Sequence, residues 1–469
     1  MQQRRPTAIC GPRAAIGLGT LLCATACQFI PVEAPPDPWA PGTTYATDPT
    51  VRRGLIDVRG LIHAHSVYSH DACDYQPEVD GVRNQQCFED FRAGLCTSKH
   101  DFVMLTDHRD AFSATEYPEI LLYRAERGDQ LVERNGGPVA NWLACPGQEP
   151  ALIMAGTEAE TMPVGLERHV AERDERSDIY GDRSPESLAA LREAGAVLLV
   201  QHTEDWDVHY LTTLGIDGFE MFNLHATMML NLIDVITIYV QILEGDTEAL
   251  PHPDLIGLPF LREDPRYLER WGGTLAAGVK RVTTMGTDCH RNSFETELPD
   301  GERGDSYRRM MQWFSNHVLV RPRADGSWKD SDLKTALRAG RLYGAYEIYG
   351  YPIGFDYYAE TTAGLAEMGT ELTLADAPTF IVKRPTLQNL DARAQAPVTT
   401  QRILRALPNG WELMAQSETD LRWSPTEVGA YRAEVRIVPH HIRADLGQFR
   451  ERVLGEGRIW IYSNAIYVR

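Results

Sequence analysis

One arrangement recurs between Val58 and about Tyr346: a short apolar run that stops directly on His, Asp or Glu. Val58-Arg59-Gly60-Leu61-Ile62 leads into His63-Ala64-His65, and Phe102-Val103-Met104-Leu105 leads into Thr106-Asp107-His108. Leu152 to Ala155 leads into Gly156-Thr157-Glu158, Ala196 to Val200 into Gln201-His202, and Val282 to Met285 into Gly286-Thr287-Asp288-Cys289-His290. Runs this short, bounded by Gly and polar residues, suit buried parallel strands. Helix signals fall between them. Ser184-Pro185-Glu186 supplies a capping Ser, Pro at the first helical position and an acid in the first turn, with Gly195 as its stop. Asp330-Ser331-Asp332 opens another helix, with Leu333 and Leu337 on one face and Gly340 beyond its end. Strand, polar loop and helix in repetition predict an α/β barrel over residues 51–346. In such a barrel the residues at the strands' C-terminal ends meet at one mouth.

The segments on either side differ. Arg4, Arg5 and Arg13 precede the apolar stretch Ala14 to Ala26, which is too short to span a bilayer, so residues 1–27 read as an export signal. Ala24-Thr25-Ala26-Cys27 resembles the lipobox of bacterial lipoproteins, with Ala24 where Leu is usual, which implies lipidation of Cys27 and anchoring to a membrane. Simple secretion to the periplasm or beyond is the alternative. Pro31, Pro35, Pro36, Pro38 and Pro41 make residues 28–50 an extended tether. The apolar run Met228 to Leu243 contains Asn231, Asp234 and Gln241 and reads as a packed helix. After Tyr346 alternation replaces helical periodicity, as in Tyr431-Arg432-Ala433-Glu434-Val435-Arg436-Ile437-Val438, so residues 347–469 read as a small β-sandwich-like domain.

Charge and cysteine content exclude some functions. With 46 Lys+Arg against 66 Asp+Glu the net charge is −20, which argues against nucleic acid as a partner. Cys73, Cys87, Cys96 and Cys145 form an even set in a chain that reads as exported, so one or two disulfides are expected, with three pairings open. Cys289 stands between Asp288 and His290, and alternation turns it away from them toward the core.

His63 and His65, one residue apart on a strand end, can face the same way. Imidazoles and carboxylates without a thiolate pair suit Zn, Mn or Fe. His63-Ala64-His65-Ser66-Val67-Tyr68-Ser69-His70-Asp71 resembles the first motif of the PHP (polymerase and histidinol phosphatase) superfamily of metallohydrolases. Thr106-Asp107-His108 resembles its second motif, Gly156-Thr157-Glu158 its third, His202 its His after a strand, and Gly286-Thr287-Asp288-Cys289-His290 its last. His169 matches an additional His between the third and fourth motifs. Leu337-Arg338-Ala339-Gly340-Arg341 and the closing Trp460-Ile461-Tyr462-Ser463-Asn464-Ala465-Ile466-Tyr467 run resemble the exported CehA/McbA-like subgroup.

The resemblance implies a distorted (β/α) barrel and two or three divalent metal ions. One position would use His63, His65, Glu158 and Asp288; a second Glu158, His169 and His202; a third His70, His108 and His290. His70 and Asp71 are adjacent, and either can fill the place in the first motif. Asp107 can orient an imidazole or cap a helix. Arg109 and Arg291 each follow a ligand and can bind an anionic substrate oxygen or make surface ion pairs. His225 can line the mouth or pack inside. Metals so placed supply hydroxide near neutral pH and polarise a phosphoryl or carbonyl oxygen. The expected activity is hydrolysis of a small-molecule ester, first a phosphoester, alternatively a carboxyl or carbamate ester. A non-catalytic, metal-stabilised surface lipoprotein is the reading from another class.

Overall fold

The apolar runs fold into strands that stop where their polar residues begin. β1 (Ile56–Ala64), β2 (Phe102–Met104), β3 (Ala151–Gly156), β4 (Met162–Leu166), β5 (Val197–Leu199), β6 (Gly218–Asn223) and β7 (Val282–Cys289) are buried almost throughout. Burial on both faces is why these sequences run apolar instead of alternating. β1 lies parallel to β2 and β2 to β3, whereas β4 runs antiparallel to both β3 and β5. Val200 N–H donates to Gly218 O and Glu220 N–H to Val200 O, which joins β5 to β6. β6 is parallel to β7, and β7 returns to β1. Apart from β4, all of these strands end on the same side, so their terminal polar residues converge. β4 and the hairpin Gln130–Arg134 with Gly137–Leu143 break the strand–helix alternation expected from the sequence.

A computed structural model describes residues 45–244, 249–455 and 457–469, which belong to one compact unit. The segment read as an export signal, Cys27 and most of the segment read as a Pro-rich tether lie outside the described residues. Tyr45 is buried against Tyr351, with ring centroids 4.9 Å apart, so residues 45–50, read as tether, already pack on the folded unit. On its free side, the first half of β1 bonds antiparallel to Ser315–Val320. Hydrogen bonding continues from there through Leu342–Ala345, Arg458–Ser463 and Gly429–Val438 to Val398–Leu407. The fold is therefore mixed α/β around a large mixed sheet, and strand pairing runs on across residue 346. A separate four-stranded antiparallel sheet holds Asp356–Thr361 and Thr379–Lys383 and sets Phe380 against Tyr431, centroids 5.3 Å apart.

Helix ends follow their sequence signals. Ser184 Oγ accepts the Ser187 N–H at 3.2 Å to start Pro185–Glu193, and Gly340 at φ +77° closes Asp330–Ala339. The run expected as one packed helix is different. It forms Leu224–Leu230 and Leu232–Glu244, bent by 84° at Asn231, and no single described helix is long and apolar enough to cross a membrane. Asp234 and Gln241 turn inward, Asp234 to Arg262 and Arg452 and Gln241 to Gln448, while Ile233 is 81% exposed and Leu243 65%. Val235, Ile238 and Ile242 pack on the core between these polar anchors, and the other apolar side chains of the helix are left outside.

Beneath the strand ends lies a buried ionic cluster. Arg59 donates to both Glu347 oxygens at 2.6 Å, and Tyr343 donates to Asp57 at 2.6 Å. His317 sits between Asp57 at 2.9 Å and Glu347 at 3.2 Å, tying β1 to its antiparallel neighbour. Burial opposes charge on His317, but the two carboxylates prevail and lift it to about 9; burial would raise Glu347, yet Arg59 and His317 bring it down to about 2. An imidazole raised above its ordinary value stabilises the fold fully below about pH 6.5 and stops doing so as pH rises through about 9. Chemical unfolding should therefore show up to about 3 kcal/mol of stability lost between those values. His317→Gln should show a correspondingly smaller loss than the wild type over the same pH range.

Candidate metal centre

His63 and His65 leave β1 through a bulge. Pairing with β7 slips between Ile62 and Ala64, which face Gly286 and Cys289, and an extra residue at such a point re-aims the side chains. His63 takes φ +68°, Asp288 on the facing bulge +52°, and His202 after β5 +46°. Left-handed backbone costs a non-glycine residue about 1–3 kcal/mol and persists where the surroundings over-determine it.

The strained residues bring four donor atoms together. His63 Nε2 lies 3.2 Å from His65 Nε2, 3.4 Å from Glu158 Oε2 and 3.2 Å from Asp288 Oδ1. His65 Nε2 lies 3.2 Å from Glu158 Oε2 and 3.3 Å from Asp288 Oδ1. A tetrahedral ion with ligands at ~2.1 Å separates its ligand atoms by about 3.4 Å. The outer nitrogens of both rings are already engaged: His63 Nδ1 with Glu220 Oε1 at 2.6 Å, His65 Nδ1 with Ser69 Oγ at 2.9 Å. A proton on His63 Nδ1 leaves the Nε2 lone pair aimed at the centre. Asp288 Oδ1 is buried with no hydrogen-bond partner. This donor set fits a resident divalent cation, with nitrogen and oxygen ligands suited to Zn, Mn or Fe.

The electrostatics agree. Burial works against charge on each member, but Asp288, Glu220 and Glu158 lift His63 well above the usual imidazole range, and Asp288 and Glu158 lift His65 to about 9. Burial would raise Glu158 and Asp288, yet the imidazoles, His63 first, hold both well below the carboxylate range. These shifts report a strongly negative field at the ring nitrogens, where a cation is favoured.

A second group adjoins the first. His65, Asp71, His108 and His290 offer donor atoms within 4.8 Å of one another, with Asp71 Oδ2 3.0 Å from His108 Nε2 and 3.2 Å from His290 Nε2. Asp71, not His70, fills the open place in the first motif. The His70 side chain is 58% exposed and turned to Asp110 at 3.2 Å. The loop explains this: Cys73 N–H donates to His290 O, and Cys73, Asp74 and Tyr75 are all left-handed at φ +59° to +60°. A Cys73–Cys87 disulfide and the Asp74–Arg303 ion pair at 2.7 Å hold that turn, with Asp71 inward and His70 outward. The other pairing is Cys96–Cys145.

His202 Nε2 lies 3.2 Å from Glu158 Oε1 and 3.5 Å from Asp288 Oδ2. Glu158 and Asp288 thus present one oxygen to the four-donor group and the other to His202. His225 Nδ1 lies 3.3 Å from Asp288 Oδ2, and its ring stacks on His290; burial pushes it down to about 4, so it is neutral.

Several expectations need correction. His169 is absent from the cluster: Nδ1 meets Tyr180 Oη and Nε2 meets Thr115 O, each at 2.9 Å, between the Phe112 and Tyr117 rings. Both nitrogens are taken, so none is left for a cation. Asp107 orients no imidazole; its carboxylate accepts the Ser66 N–H at 2.6 Å and Oγ–H at 2.8 Å and shapes the loop after β1. Arg291 is closed off by Asp90 at 3.1 Å and Asp74 at 3.5 Å, which removes it from anion binding. Arg109 is exposed and lines an open cleft of about 460 Å³ together with His108, Glu158 and Gln201. Cys289 is a buried free thiol pushed up to about 12, first by burial and then by Asp288.

Glu220 and Asn223 are site residues that the sequence reading passed over. Glu220 Oε2 accepts the His202 N–H and the Asn223 amide, both at 3.1 Å, and the same amide reaches Asp288 Oδ2 at 3.1 Å. The signal was an acid inside the apolar strand Gly218-Phe219-Glu220-Met221-Phe222, because a buried carboxylate requires a partner. Gly286 makes room for it: a Cβ there would lie 1.9 Å from Glu220 Oε1.

No family model and no curated protein matches the chain. Among solved structures it is similar to a two-domain protein from Bacteroides vulgatus containing a predicted PHP-like metal-dependent phosphoesterase. The identity is 10% and the TM-score 0.30, with 90% of this chain and 100% of that one covered.

Glu220→Gln keeps the shape but weakens the hold on His63. Metal affinity, measured by chelator competition, should fall by about 10- to 100-fold. His169→Gln should leave it unchanged.

Proposed function

We propose that this chain is an exported, metal-dependent hydrolase of small phosphate esters. The observation that supports this most is the set of four donor atoms, in which His63 Nε2 and His65 Nε2 lie 3.2 to 3.4 Å from each other, from Glu158 Oε2 and from Asp288 Oδ1. Two or three divalent cations held by these residues and by Asp71, His108, His202 and His290 would acidify water and polarise a phosphoryl oxygen. Glu220 and Ser69 keep the outer nitrogens of His63 and His65 occupied, which fixes both rings. Asn223 holds Asp288 Oδ2 and so sets the direction of Oδ1. Neutral His225, beside Asp288 and His290, can accept a proton or donate a hydrogen bond at the cluster's edge. Arg109 is the guanidinium in the cleft lining and is placed to bind a substrate oxygen. No Ser or Cys nucleophile enters this scheme.

A second reading rests on Arg291. With its guanidinium facing Asp90 and Asp74, the cleft keeps little positive charge for a phosphate, which favours an uncharged carboxyl or carbamate ester on the same metals. Export is supported by the two disulfides, which persist in oxidising compartments. In this reading a lipid on Cys27 holds the protein at a membrane.

Elemental analysis and a substrate panel test the proposal. Metal-loaded protein should contain at least one Zn, Mn or Fe per chain and release para-nitrophenol from its mono- or bis-phosphate esters. Turnover of carbamate or acyl esters alone would establish the second reading. Bound metal with no turnover of any ester would leave a metal-stabilised scaffold. Glu158→Gln removes a carboxylate that faces both groups and should lower kcat/KM by about three orders of magnitude, ~4 kcal/mol of transition-state stabilisation.

A further inference from the structure

The helix Leu232–Glu244 carries apolar side chains on both of its faces. Its inner side is narrow: Val235, Ile238 and Ile242 pack against the core, flanked by the half-buried Asp234, paired with Arg262 and Arg452, and by Gln241 against Gln448. Its outward positions are apolar: Ile233, Ile236, Val240 and Leu243 follow one another at spacings of three or four residues, all exposed. Thr237, which shares that face, turns its hydroxyl onto the Ile233 carbonyl at 2.8 Å. The bend toward Leu224–Leu230 carries the apolar surface further, because Met229 is 70% exposed. A helix facing water keeps polar side chains outside; this one presents Ile233, Ile236, Val240 and Leu243 there.

We propose that residues 224–244 dock on the surface of a lipid bilayer, beside the metal cluster that His225 edges. The 84° bend and the polar anchoring of the second helix fit a pair that lies on a membrane instead of crossing it. A net charge of −20 makes attraction to anionic headgroups a poor source of binding, so the apolar face has to supply it. How the chain reaches the bilayer rests on the proposed lipid at Cys27: residues 28–44 extend at most about 60 Å, which keeps the folded unit close to the surface.

The test uses the full chain on phosphatidylcholine vesicles, with Val240→Cys carrying an environment-sensitive fluorophore. Cys289 is buried and the other described cysteines are paired; Cys10 and Cys23 are changed to Ala, and peptide mapping confirms that the label sits on residue 240 and not on Cys27. A blue shift with quenching by bilayer-embedded nitroxide lipids is expected. Ile233→Asp/Ile236→Asp on the same chain should abolish both while the near-ultraviolet circular dichroism stays native, since each buried Asp costs on the order of a hundredfold in partition. A chain that floats with vesicles while its probe stays in water keeps the lipid anchor and overturns the docking. A chain that is soluble without vesicles, yet shows the shift when they are added, refutes the anchor and upholds the docking. A shift without vesicles, accompanied by a dimer in sedimentation that the Asp variant dissociates, assigns the face to a second copy and overturns the proposal.

Discussion

Two imidazole nitrogens and two carboxylate oxygens pointed at one another about a hydrogen-bond length apart form the constraint on which this structure turns. Only protons or a cation can reconcile such donors, and Glu220 and Ser69 already occupy the far side of each ring. The surrounding backbone is bent to maintain the arrangement. His63, Asp288 and His202 accept left-handed conformations that cost free energy, and the bulge between β1 and β7 turns the side chains of His63 and Asp288 inward. Strain of this kind concentrates where geometry is under selection for something other than stability.

Stability comes from the layer underneath. Asp57 and Arg59 lie on the same strand as His63, a few residues earlier, and pair there with His317 and Glu347 from neighbouring segments. Burying those charges is expensive unless all are paired, and here every member has a partner. The cluster fixes β1 between its parallel and antiparallel neighbours, so the bulge above it has a rigid base. β1 thus has two halves with different duties, one ionic and load-sharing, the other strained and ligand-bearing.

Much of this was legible because the local signals are strong. Each apolar run that ended on His, Asp or Glu became a strand, and Ser184 and Gly340 bound their helices as their residue types require. The failures have specific physical causes. His70 and Asp71 could not be separated, because three consecutive left-handed residues and a disulfide decide which of them faces inward. His169 had suitable spacing, but Tyr180 and Thr115 had a prior hold on its nitrogens. Glu220 was hidden in an apolar run, where its meaning depends on His63, 157 positions away in the chain. The run Met228 to Leu243 reads as one packed helix because hydropathy reports composition, whereas the chain bends at Asn231 and only Val235, Ile238 and Ile242 of the second helix pack on the core.

The staple between Cys73 and Cys87 treats the two metal groups unequally. His63, Glu158 and Asp288 are set by sheet hydrogen bonds that owe nothing to sulfur, whereas Asp71 sits two residues from a thiol that must be oxidised to hold its turn. Reducing surroundings would therefore leave one group assembled and loosen the other. The geometry of the Asp71 group thus becomes a property of the redox surroundings as well as of the sequence.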